Sequence, residues 1–227
     1  MDKAEKLKLF SRFNKWYHTM SLGDGIITPG DPGNNRMKWK AISGRLPVKV
    51  EGKTFIDLGP AEGYFSIKML QKGASSGVCV ERNEKMINKL EFCMKCIFGK
   101  IPDGLKIVRM EIDDLMYNDP VFRDSLGIPS SWDYSIALAI AHWVNDPLVF
   151  AKYLAKITRL KSFVEIVVND VDEYGISTKR AKKMFKWDIG KEIFKNMSRC
   201  AGFKHVISLK DYVTSFGSHR ALYELSK

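Results

Sequence analysis

The sequence predicts a doubly wound α/β fold, in which a mostly parallel sheet lies between two layers of helices. Short β-branched segments alternate with helical segments along the chain, which is typical of parallel strands joined by crossover helices. The segment SFVEIVV (162–168) is apolar almost throughout, as expected of a strand that is buried on both faces. With 227 residues, of which 45% are hydrophobic, the chain is long enough to form one good core.

The elements follow one another in a regular order. A basic, aromatic-bearing helix over residues 2–17, a loop rich in Gly, Pro and Asp, and a helix over 38–46 precede the sheet. The predicted strands are TFIDL (54–58), GVCVE (77–81), LKIVRM (105–110), DYSIALAI (133–140), SFVEIVV (162–168), KHVISL (204–209) and HRALYEL (219–225). The last two are spaced like a terminal antiparallel pair. We therefore expect an N-terminal extension over residues 1–50, followed by a single sheet domain over 51–227.

Composition indicates which partners and which cellular compartment to expect. The chain has 37 Lys and Arg against 26 Asp and Glu, and the net charge of +11 favours an anionic partner such as nucleic acid. No apolar run reaches about 18 residues and the N-terminus is charged, so we expect a soluble, cytoplasmic protein without a membrane partner. Cys93 and Cys96 lie in a helical run without a second Cys or His pair at zinc-ligand spacing. They therefore indicate a core helix, and we expect no metal site.

The stretch FIDLGPAEG (55–63) is a glycine turn after a strand, and its chemistry is unusual. Such turns usually hold a phosphate, because glycines let the backbone approach the ligand. The middle glycine of the dinucleotide motif is missing from the Pro60-Ala61-Glu62 stretch, and Glu62 would repel a phosphate. S-adenosylmethionine (SAM) has no phosphate and carries a sulfonium and an ammonium group. Carboxylates at Asp57 and Glu62 therefore favour SAM over a dinucleotide.

Acidic residues at the next two strand ends extend this prediction, because ligands of open α/β sheets bind beyond the carboxyl ends of the strands. Glu81 ends the second strand and is placed to accept hydrogen bonds from both ribose hydroxyls, a role that would also fit NAD. After the third strand, Ile112 is placed to cover adenine and Asp113 to accept from its exocyclic amine. Asp114 is the alternative to Asp113.

Four stretches, FIDLGPAEGYFS, VCVE, MEIDDL and ALAIAHW, resemble in this order the motifs of class I SAM-dependent methyltransferases, over roughly residues 53–227. The resemblance implies a Rossmann-like, seven-stranded, mostly parallel sheet with an antiparallel last strand. It also implies that Asp57, Gly59 and Gly63 frame the methionine end of SAM, that Glu81 holds the ribose, and that Asp113 lies by the adenine. The complete set of predicted cofactor-binding residues is Asp57, Gly59, Pro60, Glu62, Gly63, Glu81, Ile112, Asp113 and Ala139.

Catalysis is less determined by the sequence, because positioning of the acceptor alone supplies much of the acceleration of a methyl transfer. His142 follows the fourth strand and is the first candidate for a general base, with an equal weight on a purely structural role. Trp143 beside it is suited to form a wall of the acceptor pocket. His18, in KWYHTM, is the second candidate, and a structural role is the favoured alternative for it.

The acceptor is predicted from the two regions outside the cofactor motifs. WYHTMSLGDGIITPG (16–30) is either a lid over the crevice or a packed extension. Together with the glycine turn, it resembles more loosely a group that includes tRNA wobble-uridine carboxymethyltransferases and small-molecule or glycan methyltransferases. Residues 179–199 interleave basic residues with Phe185, Trp187 and Phe194. This pattern fits an RNA-binding surface and, equally, a core stripe with a solvated basic face.

Three functions therefore stay open. The first, which the charge and the N-terminal resemblance favour, is methyl transfer from SAM to an oxygen or nitrogen nucleophile on RNA. The second is the same reaction on a small molecule or sugar, and the third is a SAM-fold binding protein without catalysis. The sequence does not predict an oligomeric state.

Overall fold

The computed structural model describes residues 1–117, 120–168, 190–214 and 218–227. Their strands are β1 (Thr54–Leu58), β2 (Ser76–Glu81), β3 (Leu105–Arg109), β4 (Trp132–Ala137), β5 (Thr158–Val167), β6 (His205–Val213) and β7 (His219–Ser226). They form a seven-stranded sheet in the order β3-β2-β1-β4-β5-β7-β6. β1 pairs with β2, β2 with β3 and β4 with β5 in parallel, whereas β7 is antiparallel to both β5 and β6. The predicted fold class is therefore confirmed.

Helices flank the sheet. They are α1 (Lys3–Phe10), α2 (Pro32–Ser43), α3 (Tyr64–Gln71), α4 (Glu84–Phe98), α5 (Ile112–Tyr117), α6 (Pro120–Ser125), α7 (Pro147–Ile157) and α8 (Lys191–Cys200). α3 packs on β1 and β2, α4 on β2 and β3, and α7 on β4 and β5. α4 places Cys93 on its buried face, as predicted for a core helix. Within the described ranges, no helix combines the length and apolar character that crossing a membrane requires.

The chain forms two compact units, Met1–Met110 and Glu111–Lys227. The first contains α1–α4 and β1–β3, and its fully buried side chains include Phe55 and Leu90. The second contains α5–α8 and β4–β7, and its fully buried side chains include Trp132. The N-terminal extension belongs to the first unit. The domain boundary expected near residue 50 stays a prediction.

Two helices differ from the prediction in their boundaries. α1 ends at Phe10 rather than at residue 17, because Trp16 turns back to stack on Phe10 with ring centroids 5.3 Å apart and Lys15 adopts a φ of +53°. A right-handed helix excludes a positive φ. α2 begins at Pro32 rather than at residue 38, consistent with the preference of proline for the first turn of a helix.

Three strand boundaries also differ by three or more residues, and one of them is the end of β6, which lies at Val213 rather than at residue 209. β4 ends at Ala137 rather than at residue 140, and Ala139 just beyond it has a φ of +58°. This left-handed conformation cannot continue a strand, although ALAI reads as one in sequence. β5 begins at Thr158, before the predicted start at residue 162, and residues 159–161 are exposed or partly exposed.

Candidate functional site

The glycine turn after β1 is tightly wound. Gly59, Ala61 and Gly63 all have a positive φ, of +71°, +50° and +80°. The Gly59 N–H donates to the Val80 carbonyl at 2.9 Å, which ties the turn to the end of β2. A Cβ atom on Gly63 would overlap the Leu90 side chain, so position 63 requires glycine for both its conformation and its packing. The turn therefore brings its backbone against α4 and leads directly into α3.

Asp57 lies buried below this turn and forms a hydrogen-bonded cluster. It is 2% exposed and accepts a 2.5 Å hydrogen bond from the Ser66 hydroxyl, which also lies 3.2 Å from the Cys79 sulfur. Burial raises the pKa of Asp57 to about 7; Ser66 opposes this shift and the nearby carboxylate of Glu81 adds to it. Burial likewise raises the pKa of the Cys79 thiol. Asp57 therefore changes its protonation state near neutral pH.

Asp57→Asn is expected to remove a pH dependence of stability. Because the pKa of Asp57 is about 7 in the fold and about 3.9 in an unfolded chain, the folded protein binds an extra proton between these values. The free energy of unfolding therefore falls as the pH rises from about 4 to about 7, by on the order of 4 kcal/mol at most. Urea unfolding of both proteins across pH 4–8 measures this difference. Parallel stability curves would contradict the assignment.

Glu81 ends β2 beside the glycine turn. It is 9% exposed, and its Oε1 accepts a 2.9 Å hydrogen bond from the Asn83 N–H. Burial raises the pKa of Glu81, and hydrogen bonds from the backbone of Asn83, Ala61 and Arg82 offset part of the shift. The hydrogen bond from Ala61 places this carboxylate against the turn. The ribose-binding role of Glu81 stays a prediction, and its position at the turn is the one that role requires.

Glu62 points to the N-terminal segment. Its side chain is completely buried, and Oε1 accepts a 2.7 Å hydrogen bond from the Tyr17 N–H. Oε2 lies 2.9 Å from His18 Nδ1, an ion-pair distance without the alignment of a hydrogen bond. Burial acts to raise the pKa of Glu62, but His18 and the Tyr17 N–H outweigh it and hold the pKa below its usual value. Both oxygens of this predicted cofactor-binding residue thus face the N-terminal segment.

His18 is held between the rings at the start of α3. Its ring stacks on Tyr64 at 5.7 Å and meets the edge of Phe65 at 5.6 Å. The Thr28 hydroxyl donates to the His18 carbonyl at 2.5 Å, and the backbone at Gly30 passes so close that a Cβ there would overlap His18. The segment around His18 is therefore packed on the glycine turn.

Lys89 of α4 also binds the N-terminal segment around His18, through its backbone. Its ammonium donates to the carbonyl oxygens of Asn14 and Lys15, at 2.7 and 2.6 Å, and lies 5.1 Å from the centre of the Trp16 ring. The side chain is 4% exposed. Burial lowers the pKa of Lys89, and the Glu62 carboxylate offsets part of this shift.

Lys89→Met is expected to loosen the segment that begins at Asn14. Hydrogen bonds from a charged donor contribute about 1.5–3 kcal/mol each, so losing this pair should speed amide exchange over residues 14–20 by at least about 10-fold. Hydrogen–deuterium exchange by mass spectrometry measures the effect. Lys95→Met is the matched control, because Lys95 lies on the same helix with a half-exposed side chain. Equal exchange in both variants would show that Lys89 does not hold the segment.

The second unit contains the residues predicted to lie beyond β3 and β4. Asp113 Oδ1 accepts a 2.9 Å hydrogen bond from the Asn145 N–H, whereas Asp114 is exposed. Asp113 is therefore the partly buried residue of this pair, as expected of the member that faces inward. Ile112 is also partly buried. Ala139 has a positive φ of +58°, which strains its backbone. The cofactor-binding roles of these residues stay predictions.

His142 is enclosed in the second unit. It is 3% exposed, and burial lowers its pKa to about 3, with the positive charge of Arg220 adding to the effect. A base with so low a pKa is a poor proton acceptor near neutral pH. Trp143 is 40% exposed, and its ring centre lies 5.4 Å from that of His142. The general-base role of His142 stays a prediction, and its burial argues against that role.

The described end of the basic stretch is α8. Phe194 is buried and its ring lies 5.0 Å from that of Tyr223. Lys191 pairs with Asp211 at 2.7 Å and Lys195 with Glu192 at 2.6 Å. These contacts favour the core-stripe interpretation for α8. Residues 179–189 of the predicted RNA-binding surface, including Phe185 and Trp187, lie outside the described residues.

Solved structures match the chain, although no family model and no curated protein does. One match is an S-adenosylmethionine-dependent methyltransferase from Mesorhizobium loti, with a TM-score of 0.60, 16% identity, and coverage of 84% of this chain and 98% of that one. The fold is that of class I SAM-dependent methyltransferases. A second structure with this methyltransferase fold is the [4+2]-cyclase SpnF, at a TM-score of 0.61 and 12% identity over 85% of this chain and 81% of that one.

EvdMO1 matches this chain, which has the methyltransferase fold, along the whole length of the chain. Its N-terminal domain, crystallised with S-adenosylhomocysteine (SAH) and D-fucose, has a TM-score of 0.71 and 14% identity, and the match covers 100% of this chain and 97% of that domain. In the longer EvdMO1 structure, the match covers 48% of that chain. The chain therefore spans about half of the longer protein and nearly all of its N-terminal domain.

Proposed function

We propose that the chain is a SAM-dependent methyltransferase that acts on an oxygen or nitrogen nucleophile. The observation that carries the proposal is the pair of buried carboxylates, Asp57 and Glu81, at a glycine turn that lacks the central glycine of a dinucleotide site. Two acidic groups at this turn disfavour a pyrophosphate and suit a cationic ligand. The SAH bound to the N-terminal domain of EvdMO1 supports the same ligand class.

Four residues at the glycine turn have definite roles in this proposal. Bound SAM supplies a methyl group activated by its sulfonium sulfur. Glu81 accepts hydrogen bonds from the ribose hydroxyls, while Gly59 and Gly63 let the backbone approach the methionine end. Asp57 supports the turn from below through Ser66. The chain thereby fixes the position of the methyl group, and positioning of this kind contributes about 7–11 kcal/mol in favourable cases.

A small hydroxylated molecule, such as a sugar, is the acceptor that we propose. EvdMO1, whose N-terminal domain was crystallised with D-fucose, matches all of this chain, whereas the Mesorhizobium loti and SpnF structures match 84% and 85% of it. RNA is the second candidate, favoured by the net charge of +11. The ion pairs of Lys191 and Lys195 within the protein weaken the RNA alternative over α8.

Methyl-labelled SAM tests the reaction and the acceptor together. The protein is incubated with D-fucose, with other 6-deoxyhexoses and with total RNA, and the label in each is counted. We expect label in the sugars, dependent on Glu81. Label in RNA alone would support the RNA alternative instead. Binding of SAH without any transfer would support a non-catalytic protein, and since SpnF is named a cyclase, another reaction would then have to be sought.

A further inference from the structure

We propose that His18 is the general base of this reaction and that Glu62 is the residue that positions it, with His18 Nε2 taking the proton of an acceptor hydroxyl group. The inference rests on the proposed function and deepens it. It assigns Glu62 to the acceptor side of the site rather than to the cofactor. It also places the base in the first compact unit, next to the glycine turn.

The orientation of the ring follows from Glu62. The Tyr17 N–H fixes one carboxylate oxygen at 2.7 Å, and the other oxygen lies 2.9 Å from His18 Nδ1. Nδ1 is buried, while the His18 side chain as a whole is 14% exposed, so its accessible part lies away from Glu62. Although the pair lacks the alignment of a hydrogen bond, the negative charge of the carboxylate beside Nδ1 favours the tautomer with its proton on Nδ1, which leaves the lone pair of Nε2 available.

The position of the ring also suits a base. His18 stacks on Tyr64, the first residue of α3, which directly follows the glycine turn. The packing at Gly30 and the hydrogen bond from Thr28 fix its backbone. Of the four histidines in the chain, the other three lie in the second unit. His18 is thus the histidine that the fold fixes beside the turn where we place the methionine end of SAM.

The charge on Glu62 favours a role in the reaction, in addition to anchoring the N-terminal segment. Burying a carboxylate is costly unless it is paired, and yet the pKa of Glu62 stays below its usual value. Its ionised form stabilises the imidazolium that forms when His18 takes a proton. The other titratable groups around the pair are the Lys89 ammonium and the Cys93 thiol, which interact with Glu62, and the Tyr64 phenol, which stacks on His18.

The proposed step balances. The acceptor oxygen attacks the methyl carbon, and its O–H bond breaks as the new O–CH₃ bond forms. The proton passes to His18 Nε2, and the electron pair of the broken S–CH₃ bond stays on sulfur, which gives SAH. The imidazolium then returns its proton to water.

The tautomer of His18 tests the inference without an acceptor. Long-range ¹⁵N–¹H NMR of the SAH-loaded protein distinguishes the two neutral tautomers, and the signal that His18→Asn removes identifies the residue. We expect the Nδ1–H form of His18 in the wild type. The Nε2–H form would overturn the proposal, because Nε2 would then have no lone pair for the proton.

Turnover tests the catalytic step itself, with D-fucose and methyl-labelled SAM as probes. We expect His18→Asn to lower kcat by about 10²–10⁴-fold while SAH affinity stays within about 3-fold. Glu62→Gln should lower kcat less than His18→Asn does, and it should reduce the fraction of His18 in the Nδ1–H form, since Nδ1 loses its charged partner. Lys89→Met loosens the segment but keeps the pair, and should leave the tautomer of His18 unchanged.

These experiments distinguish a failure of the role of His18 from a failure of the proposed function. Full turnover in His18→Asn, or an equal loss of kcat in His18→Asn and Lys89→Met, would overturn the role of His18 while leaving the methyltransferase assignment intact. Absence of both SAH binding and turnover in the wild type would overturn the proposed function and, with it, this inference. If SAH binds but D-fucose is not methylated, the tautomer of His18 still tests the inference. The Nδ1–H form supports the proposed orientation of the ring, and the Nε2–H form overturns it.

Discussion

Gly63→Ala is expected to destabilise the first compact unit by about 3 kcal/mol and to abolish cofactor binding. The left-handed conformation of Gly63, with a φ of +80°, costs a non-glycine residue about 1–2 kcal/mol. The added methyl group also overlaps the Leu90 side chain, which is completely buried. Overpacking of this kind costs about 1–3 kcal/mol. Urea unfolding followed by circular dichroism measures the loss.

Gly52→Ala is the matched control for this substitution. Gly52 has a similar φ of +69°, but a Cβ atom there would meet no other atom within 4 Å. Its cost is therefore the backbone term alone, about 1–2 kcal/mol, and binding of SAH should survive. Equal losses in the two variants would show that the contact between the turn and Leu90 does not constrain the site.

Glu81→Ala is expected to reduce the affinity for SAH by about 10²–10⁴-fold. Two hydrogen bonds from the ribose to a carboxylate, at about 1.5–3 kcal/mol each, account for this loss. The neighbouring N–H groups of Asn83 and Ala61 lose their acceptor as well, so part of the effect comes from relaxation of the turn. Calorimetric titration with SAH measures the change.

Two further variants separate the charge of Glu81 from its geometry. Glu81→Gln keeps one acceptor oxygen and should lose less affinity than Glu81→Ala. Glu84→Gln, three residues later, should bind SAH like the wild type, because Glu84 is an exposed residue paired with Arg109. Unchanged affinity in Glu81→Ala would remove the ribose assignment.

Local chemistry made the sheet and the glycine turn predictable. The β1 boundaries agree with the sequence prediction, because TFIDL is a short apolar run that ends at a glycine turn. α1 was predicted too long and β4 extended too far. The first error arose because Trp16 packs back on Phe10, and the second because Ala139 adopts a left-handed conformation. Both depend on tertiary packing, which periodicity does not report.

The site residues were likewise predictable where sequence order determines their position, and unpredictable where a tertiary contact does. Asp57 and Glu81 were located by their places at the ends of adjacent strands, which sequence order reveals. The contact between Glu62 and His18 was missed, because it joins two motifs whose separation in sequence gives no signal of pairing. The two residues had been assigned to different roles for that reason. The burial of His142 was also hidden, since its position after β4 is equally compatible with an exposed side chain.

Calorimetric titration of the wild-type protein with SAH, and separately with NAD, tests the central claim most directly. The claim is that the turn between β1 and α3 binds a phosphate-free cofactor of the SAM and SAH type. We predict saturable binding of SAH at a single site, much weaker or no binding of NAD, and loss of the SAH signal in Glu81→Ala. Tighter binding of NAD than of SAH, or no binding of SAH, would contradict the claim.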